Sequence, residues 1–374
     1  MLEATLHPVE LPLRHAWTIA HGTRTVQRNL IVALHDPDSG ETGYGEAPAI
    51  PYMGVTIPQL IERVRWDDPR LRRAWEDAVF GADGSDEPGQ APTWQEMTLT
   101  RGVDANGRFI RAAMDMAVYD LWGKQRGRST RSLWSQPGDP RPASDYTIGL
   151  ADPEVMIAKL REFPGFPVYK IKLGHAAEAG GIEQDLAVLR RLREATDRPL
   201  RVDANTAWTA EQTIRVSEPL RDLGVEFIEQ PLPPGAPRSE HEAAYFGSVL
   251  PIVADESCQV EEDVAACAGL FHGINIKLSK CGGITPARRM IDRARELSLR
   301  VMMGCMTETS VGISAIGQLL PRLDDVDMDG ALLLAPGSDP AQGVRVGADG
   351  VAVYPQGEAD RGNGVRVVGE LPRG

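Results

Sequence analysis

The sequence predicts an α/β protein in which a (β/α)8-type barrel carries an α+β capping domain made from the N-terminal part and the C-terminal tail. From about residue 144 onward, short apolar runs alternate with amphipathic segments, as expected of successive βα units. Up to about residue 50 the chain instead holds short apolar runs separated by Pro and Gly, which is typical of an antiparallel meander. The final segment returns to short runs bounded by glycine.

These patterns divide the chain into three segments: a capping domain at 1–140, a barrel at 141–335, and a segment at 336–374 that returns to the capping domain. In the first segment the meander comprises the runs "ATLHPVEL", "NLIVALHD" and "GYGEAP". A polar stretch at 81–108 then leads into "FIRAAMDMAVYDLWGKQRG", whose apolar spacing and terminal Gly127 predict an amphipathic helix.

Eight apolar runs are candidates for the barrel strands. The segments between them, such as "IEQDLAVLRRLREAT" and "ITPARRMIDRARELSL", have helical periodicity with a charged face. A doubly wound sheet is the structural alternative, but no G-x-G-x-x-G fingerprint follows an early strand. In chain order the candidates are "DYTIGL", "VYKIKL", "LRVDAN", "VEFIEQ", "PIVADES", "GINIKL", "RVMMGC" and the weaker run around "VDMDG".

The composition favours a globular protein that acts on a small molecule. Of the 374 residues, 42% are hydrophobic and 25% are charged, which is ordinary for a large packed core. The 40 basic and 53 acidic residues give a formal net charge of -13, so nucleic acid and an anionic membrane surface are poor partners.

The cysteines and the N-terminal residues predict a cytoplasmic location. The cysteines, at 258, 267, 281 and 305, show neither metal-ligand spacing nor the pattern of a secreted disulfide framework. The first 22 residues lack the uninterrupted apolar stretch of a signal peptide.

Acidic side chains recur at the ends of the predicted barrel strands, where the active sites of such barrels lie. Asp203, Glu229 and Asp255 end three consecutive strands at intervals of 26 residues, and Asn205 and Glu256 stand beside two of them. Three converging carboxylates repel one another unless a cation lies among them. An all-oxygen set without His or Cys favours Mg²⁺ over Zn²⁺. These residues therefore predict a magnesium site.

Lysines flank these acids along the chain. "VYKIKLG" places Lys170 and Lys172 on the same face of the second strand, and Lys277 ends the sixth strand, across the mouth of a closed barrel. A carboxylate bound to Mg²⁺ can accept negative charge as an enediolate, so the proton α to it becomes removable. The base must be neutral, and we expect Lys170 and the metal to lower the pKa of Lys172.

The motifs "KIK", "DAN", "EQP", "DES" and "KLSKCGG", in this order and at βα spacing, resemble the muconate-lactonizing subgroup of the enolase superfamily. The resemblance covers nearly the whole chain and implies a modified TIM barrel with a capping domain. It also implies two acid/base lysines, Lys172 and Lys277, and three Mg²⁺ ligands, Asp203, Glu229 and Asp255. Relatives commonly form dimers or octamers, so a homo-oligomer is expected.

Within the subgroup the chain is most similar to the dipeptide epimerases. Asp327 and Asp329, in "DDVDMDGALLL", resemble the Asp-x-Asp pair that holds the free α-ammonium of a dipeptide, and anionic partners suit that group. Thr147 in "DYTIG" resembles a substrate-contacting threonine of the first strand. A solvated acidic turn is the alternative interpretation of Asp327 and Asp329.

Two loops of the capping domain, near 15–28 and 50–56, are expected to set the specificity. The second loop offers Tyr52 and an apolar contact through Met53. In relatives that act on Ala-Glu the first loop offers an arginine to the glutamate side chain; here Gly22 falls at that place, with Arg24 two residues later. We therefore expect a dipeptide other than Ala-Glu, with hydrophobic and cationic dipeptides left open.

Three alternatives remain at this level. An o-succinylbenzoate synthase or N-acylamino acid racemase, and a muconate cycloisomerase, share the lysines and the acids but act on substrates without a free ammonium. The third alternative is a metal-binding barrel that has lost catalysis, although all five of the lysine and metal positions are filled in this chain.

Overall fold

The structure is a computed structural model that describes residues 1–19, 22–80, 104–175 and 180–372; the side chains of Ile19 and Phe80 lie outside the description. Most of the polar stretch that precedes the long helix of the capping domain also lies outside the described residues.

The capping domain begins with an antiparallel sheet of three strands, as the meander predicted: β1 (Glu3–Ile19), β2 (Gly22–His35) and β3 (Thr42–Pro48). The strand β2 lies in the middle of the sheet. The first two strands are longer than the apolar runs, because their distal ends continue as a polar ribbon beyond the core. This ribbon reaches over the mouth of the barrel.

Within the described ranges, three α-helices follow the sheet: α1 (Ile57–Val64), α2 (Pro69–Phe80) and α3 (Ala105–Gln125). The helix α3 is buried on nearly every side, and the Asp104 side chain caps it by accepting from the Gly107 backbone N–H.

The strand β3 packs directly on the backbone of α3. A Cβ built on Gly45 would lie 1.8 Å from the carbonyl oxygen of Ala113, and one on Gly43 would lie 2.2 Å from that of Ala117. Only glycine permits this approach, so the two glycines of "GYGE" fix how the sheet sits on the helix.

Eight parallel strands form the barrel in simple chain order, which confirms the predicted fold class. The sheet closes between its first and last strands, where Ser144 bridges Val326 and the Asp145 N–H donates to the Val326 carbonyl at 3.2 Å. The strands are β4 (Tyr146–Ile148), β5 (Tyr169–Lys172), β6 (Leu200–Asp203), β7 (Val225–Glu229), β8 (Ile252–Ala254), β9 (Gly273–Lys277), β10 (Arg300–Gly304) and β11 (Asp325–Asp327).

Helices alternate with these strands around the barrel, as the periodicity predicted. None of the helices in the described ranges is long and apolar enough to cross a membrane. The helices are α4 (Pro153–Glu162), α5 (Gly181–Arg193), α6 (Ala210–Asp222), α7 (Arg238–Gly247), α8 (Asp263–Cys267), α9 (Leu278–Cys281), α10 (Ile284–Glu296) and α11 (Ser310–Gly317).

The C-terminal segment packs back against the capping domain. Its Ala341 and Val365 share an apolar cluster with Val9 and Leu11 of β1. Its four short strands pair two by two, β12 (Ala341–Gln342) with β15 (Arg366–Val367) and β13 (Arg345–Val346) with β14 (Ala352–Val353).

Candidate active site

The carboxyl ends of the barrel strands bring the predicted lysines and acids into one place. The strands β5, β6, β7 and β9 end on Lys172, Asp203, Glu229 and Lys277, and Asp255 directly follows β8. Since parallel strands all end at the same rim, residues far apart in sequence become neighbours there.

Three of these acids form a compact cluster. One carboxylate oxygen each from Asp203, Glu229 and Asp255 lies within 4.8 Å of the other two, and all three side chains are buried. The Asn275 amide donates to Glu229 Oε1 at 3.0 Å and so orients that carboxylate. Oxygen ligands at this spacing suit a hard divalent cation.

Two further oxygens beside the cluster strengthen the fit to a cation. The Oδ1 atom of Asn205 and the Oε2 atom of Glu256 are buried without a hydrogen-bond partner in the described parts of the chain, and both residues line the cavity described below. A buried oxygen without a donor is costly unless an ion or water satisfies it. The donor set therefore fits Mg²⁺.

Lys170 lies fully buried beneath the acids rather than in the cavity. Its Nζ atom is 2.9 Å from Glu229 Oε1, 3.2 Å from Asp327 Oδ2 and 3.6 Å from Asp203 Oδ2. Burial opposes its charge, but these carboxylates outweigh burial and hold the pKa of Lys170 well above its ordinary value. Lys170 is thus a permanent internal cation that neutralises the acids.

Lys172 reaches the cavity and lies 2.5 Å from Asp203 Oδ2. Burial lowers its pKa, but the carboxylates, Asp203 foremost, leave it raised. Lys170 acts in the expected downward direction and is outweighed. Lys170 therefore lowers the pKa of Lys172 as expected, but the Asp203 carboxylate, whose closeness the sequence did not show, raises it by more. The further lowering expected from the metal stays a prediction.

Lys277 lies on the other side of the cavity, since β9 is four places from β5 in the eight-stranded sheet. Its Nζ atom is 2.7 Å from Asp255 Oδ2, and the Lys280 ammonium binds the other oxygen of Asp255 at 2.8 Å. Burial opposes its charge, yet Asp255 raises the pKa of Lys277 overall. Lys280 was missed, although it stands only three residues after Lys277 in "KLSKCGG", because no motif showed that both ammonium groups bind Asp255.

Asp327 and Asp329 lie at the end of β11 and are held by the first barrel strand. The backbone N–H of Thr147 donates to Asp329 Oδ2 at 2.6 Å, and its hydroxyl donates to Asp327 Oδ1 at 3.1 Å. Burial and the charge of Asp327 raise the pKa of Asp329, whereas Lys170 offsets burial and lowers that of Asp327. Both acids are buried, so the solvated-turn interpretation is wrong.

A cavity opens above these groups. The capping domain supplies one wall through residues from the tips of β1 and β2 and from the segment after β3, and the barrel supplies the rest. The lining residues are Trp17, Arg24, Ile50, Tyr52, Thr147, Lys172, Asn205, Asp255, Glu256, Lys277, Cys305, Met306, Thr307, Asp327, Asp329 and Leu333.

The specificity loops contribute only part of what the sequence predicted. Tyr52 and Arg24 line the cavity, whereas Met53 packs against the core of the capping domain and Gly22 begins β2 outside the cavity wall. The Arg24 guanidinium donates to Thr307 Oγ1 at 2.9 Å, and its Nε atom is buried without a hydrogen-bond partner among the described residues. Trp17, Ile50 and Leu333 were missed, because they lie on separate elements and share no sequence motif.

Comparisons with known proteins identify the family of this chain. The family model described as "Enolase C-terminal domain-like" matches residues 155–357. An L-Ala-D/L-amino acid epimerase of Maribacter sp. is 42% identical over 95% of this chain and 97% of its own. A hydrophobic dipeptide epimerase of Roseobacter litoralis is 39% identical over 91% of this chain and 93% of its own.

Among solved structures, the dipeptide epimerase from Enterococcus faecalis V583, complexed with Mg and L-Leu-L-Tyr, has a TM-score of 0.81 at 27% identity. The match covers 97% of this chain and 98% of that one. The dipeptide epimerase from Methylococcus capsulatus, complexed with Mg and L-Arg-D-Lys, has a TM-score of 0.77 at 28% identity over 98% and 99% of the two chains. The present chain therefore belongs to the enolase superfamily, in its family of dipeptide epimerases, and is an isomerase.

Proposed function

We propose that this protein is a Mg²⁺-dependent epimerase of dipeptides, which inverts the carbon α to the free carboxylate by 1,1-proton transfer. One observation carries the proposal: Lys172 and Lys277 enter a single cavity from opposite sides, with three converging carboxylates and the Asp327–Asp329 pair between them.

Asp203, Glu229 and Asp255 are the residues that hold the metal in this proposal, with Asn205 and Glu256 supporting the site. When bound, Mg²⁺ supplies positive charge that stabilises the enediolate and offsets the carboxylates that hold the lysines protonated. Lys170 remains beneath the acids and keeps the floor of the site close to charge balance.

The two lysines move the proton. One neutral lysine takes the α-proton from one face of the substrate, and the opposite lysine, as an ammonium, returns a proton to the other face. After a forward turnover the first lysine is the ammonium and the second is neutral, which is the state from which the reverse reaction begins. Proton exchange with solvent restores the starting state before another forward turnover. Positioned acid and base groups of this kind contribute about 10² to 10⁴ in rate each.

The far end of the cavity fixes the amino end of the dipeptide. Asp327 and Asp329 offer a buried anionic site for the α-ammonium, and Thr147 holds both carboxylates in place. Trp17 and Leu333 line the cavity together with Thr147 and offer apolar contacts to the first residue. The similarity to an L-Ala-D/L-amino acid epimerase supports L-alanine there.

Arg24 affects which side chain the second residue of the dipeptide can have. Its buried guanidinium faces the cavity, which favours neutral or acidic side chains over cationic ones. The prediction that Ala-Glu is not a substrate stays a prediction, and Arg24 gives a physical reason to test L-Ala-L-Glu first.

The function is tested by incubating L-Ala-X dipeptides with Mg²⁺ and the protein in D2O and following the α-proton of X by NMR. We expect exchange and epimerisation with the wild type, and loss of epimerisation in Lys172→Ala and Lys277→Ala. Lys124→Ala is the matched control, because Lys124 pairs with Asp120 outside the cavity. No exchange across a broad dipeptide library, or equal loss in the control, refutes the proposal.

We also propose a cytoplasmic, homo-oligomeric protein with domain boundaries near 140 and 335. All four cysteines are free thiols, which supports a reducing compartment. Light scattering measures the oligomeric state, and a monomer at micromolar concentration contradicts that part.

A further inference from the structure

A buried polar network joins the capping sheet to the segment that follows the seventh barrel strand. This segment, residues 305–309, is called the pocket loop here because Cys305, Met306 and Thr307 line the cavity. Glu46 of β3 and Asn29 of β2 belong to this network, do not line the cavity and are fully buried.

Glu46 binds the start of the helix α11. Its carboxylate accepts from the Thr309 N–H at 3.0 Å, the Thr309 hydroxyl at 2.7 Å and the Gly312 N–H at 3.0 Å. The first N–H groups of a helix have no acceptor within it, and negative charge is favoured there. The capping domain therefore supplies acceptors that this barrel helix lacks.

Asn29 connects Glu46 to Thr307, which lies in the cavity wall. Its amide donates to Glu46 Oε1 at 2.5 Å and to the Thr307 carbonyl at 3.0 Å. Thr307 in turn accepts the Arg24 guanidinium at its hydroxyl. Two residues of β2 thus hold Thr307 at both of its oxygens.

Stability alone does not explain this arrangement, because burying a carboxylate is unfavourable. A buried carboxylate pays a large desolvation cost and stays only where its oxygens are fully hydrogen-bonded. A buried network whose polar groups are all hydrogen-bonded holds its residues in a single conformation. Here the network fixes the boundary between the two walls of the cavity, one from the capping domain and one from the barrel.

We infer that Glu46 and Asn29 are positioning residues, which seat the pocket loop and the Arg24 guanidinium against the cavity and so set recognition of the dipeptide without touching it. The inference rests on the proposed function for its kinetic consequence. It assigns the catalytic steps to other residues, so the loss of Glu46 acts on substrate binding more than on turnover.

The test is Glu46→Gln, which keeps the size of the side chain but turns one acceptor into a donor facing the N–H groups. We expect KM for an L-Ala-X substrate to rise at least about tenfold while kcat changes less than about threefold. Asp120→Asn is the matched control: Asp120 is also a fully buried carboxylate of the capping domain that accepts backbone N–H groups, from Tyr44 and Asn363, but it does not contact the pocket loop.

Two results overturn the inference: an unchanged KM in Glu46→Gln, or an equal rise of KM in Asp120→Asn, which marks general destabilisation. If Glu46→Gln does not fold, Asn29→Ala decides by the same split between KM and kcat, because it leaves the contacts of Glu46 to Thr309 and Gly312 in place.

Hydrogen exchange of the substrate-free protein separates this inference from the proposed function. Residues 305–312 should exchange at least about tenfold faster in Glu46→Gln than in Asp120→Asn, because Glu46 protects the start of α11. If the wild type shows no α-proton exchange, the proposed function fails, and equal hydrogen exchange in the two variants then overturns the seating of the loop as well.

Discussion

At the scale of single residues, Glu308 is deeply buried, and its carboxyl oxygens accept fewer hydrogen bonds than they could. One of its oxygens accepts from the Met306 N–H at 3.3 Å, while Oε2 is buried without a hydrogen-bond partner among the described residues. Burial, and then the charge of Glu46, raise the pKa of Glu308 to about 8. The sequence gives no sign of this shift, because it depends on burial and on the approach of Glu46 from the capping domain.

The pKa of Glu308 predicts how stability varies with pH. The unfolded chain releases this proton near pH 4.3 and the folded protein near pH 8, so the free energy of unfolding falls across that window by up to about 1.4 kcal/mol per pH unit. Glu308→Gln removes this dependence, and its stability relative to the wild type should rise steadily from pH 5 to pH 8 in urea titrations. A difference that is flat with pH contradicts the assignment; Glu194→Gln, an exposed residue, is the control.

Asp327 and Asp329 distinguish a dipeptide epimerase from the other enzymes of the subgroup. A dipeptide has a free ammonium that needs an anionic partner, whereas N-acyl amino acids and muconate do not. Asp329→Asn should therefore raise KM for L-Ala-X by at least about tenfold, equivalent to about 1.4 kcal/mol. Steady-state assays over a series from L-Ala-X to N-acetyl-L-Ala-X check this, and equal loss for both substrates points instead to a general distortion at Thr147.

At the scale of elements, the close packing of β3 on α3 sets where the capping sheet lies. Gly45→Ala places a methyl group 1.8 Å from the Ala113 carbonyl oxygen, so the strand must move. Overpacking of this kind costs about 1 to 3 kcal/mol, and we expect a loss in that range by chemical denaturation. Gly235→Ala is the control, because a Cβ there meets no atom within 4 Å and Gly235 has no positive φ. Equal stability of the two variants contradicts the packing.

The strands and helices of the barrel were predictable because each apolar run is short and bounded, and the residues at their ends follow βα spacing. The eighth strand was the weakest run, and only three of its residues pair, Asp325–Asp327. What the sequence could not supply is contact between separate elements: Lys280 on Asp255, Asn275 on Glu229, and the wall formed by Trp17. Met53 was predicted to contact the substrate but packs in the core, because an apolar residue in a loop can pack in a core as well as line a cavity.

At the scale of the whole molecule, the active site exists only where the capping domain meets the barrel. The barrel holds the acids and lysines, and the capping domain closes the cavity with Trp17, Arg24 and Tyr52. The C-terminal segment contacts both: the Asn363 N–H donates to Asp120 Oδ1 of the capping domain at 2.8 Å, and the Tyr354 hydroxyl donates to the Gly317 carbonyl of the barrel helix α11 at 2.5 Å. Removing either part should abolish binding.

Mg²⁺ should stabilise the whole chain, because the three carboxylates come together only in the folded state. A ligand at about 100 times its Kd adds about 2.7 kcal/mol to the free energy of unfolding. We expect the Tm to rise with Mg²⁺ over EDTA in the wild type and not in Asp255→Asn. A wild-type Tm that is the same with Mg²⁺ and with EDTA contradicts the metal site.

The buried lysines carry a consequence for how a cation enters. Four ammonium groups face four carboxylates at the floor of the cavity, so an incoming ion must share these carboxylates with the lysines. The affinity for the ion is therefore a competition, and the same contacts that keep the lysines in place limit it. Selection for tighter ion retention and selection for mobile acid/base groups act on the same pairs, in opposite directions. These pairs join Lys170, Lys172, Lys277 and Lys280 to Asp203, Glu229, Asp255 and Asp327.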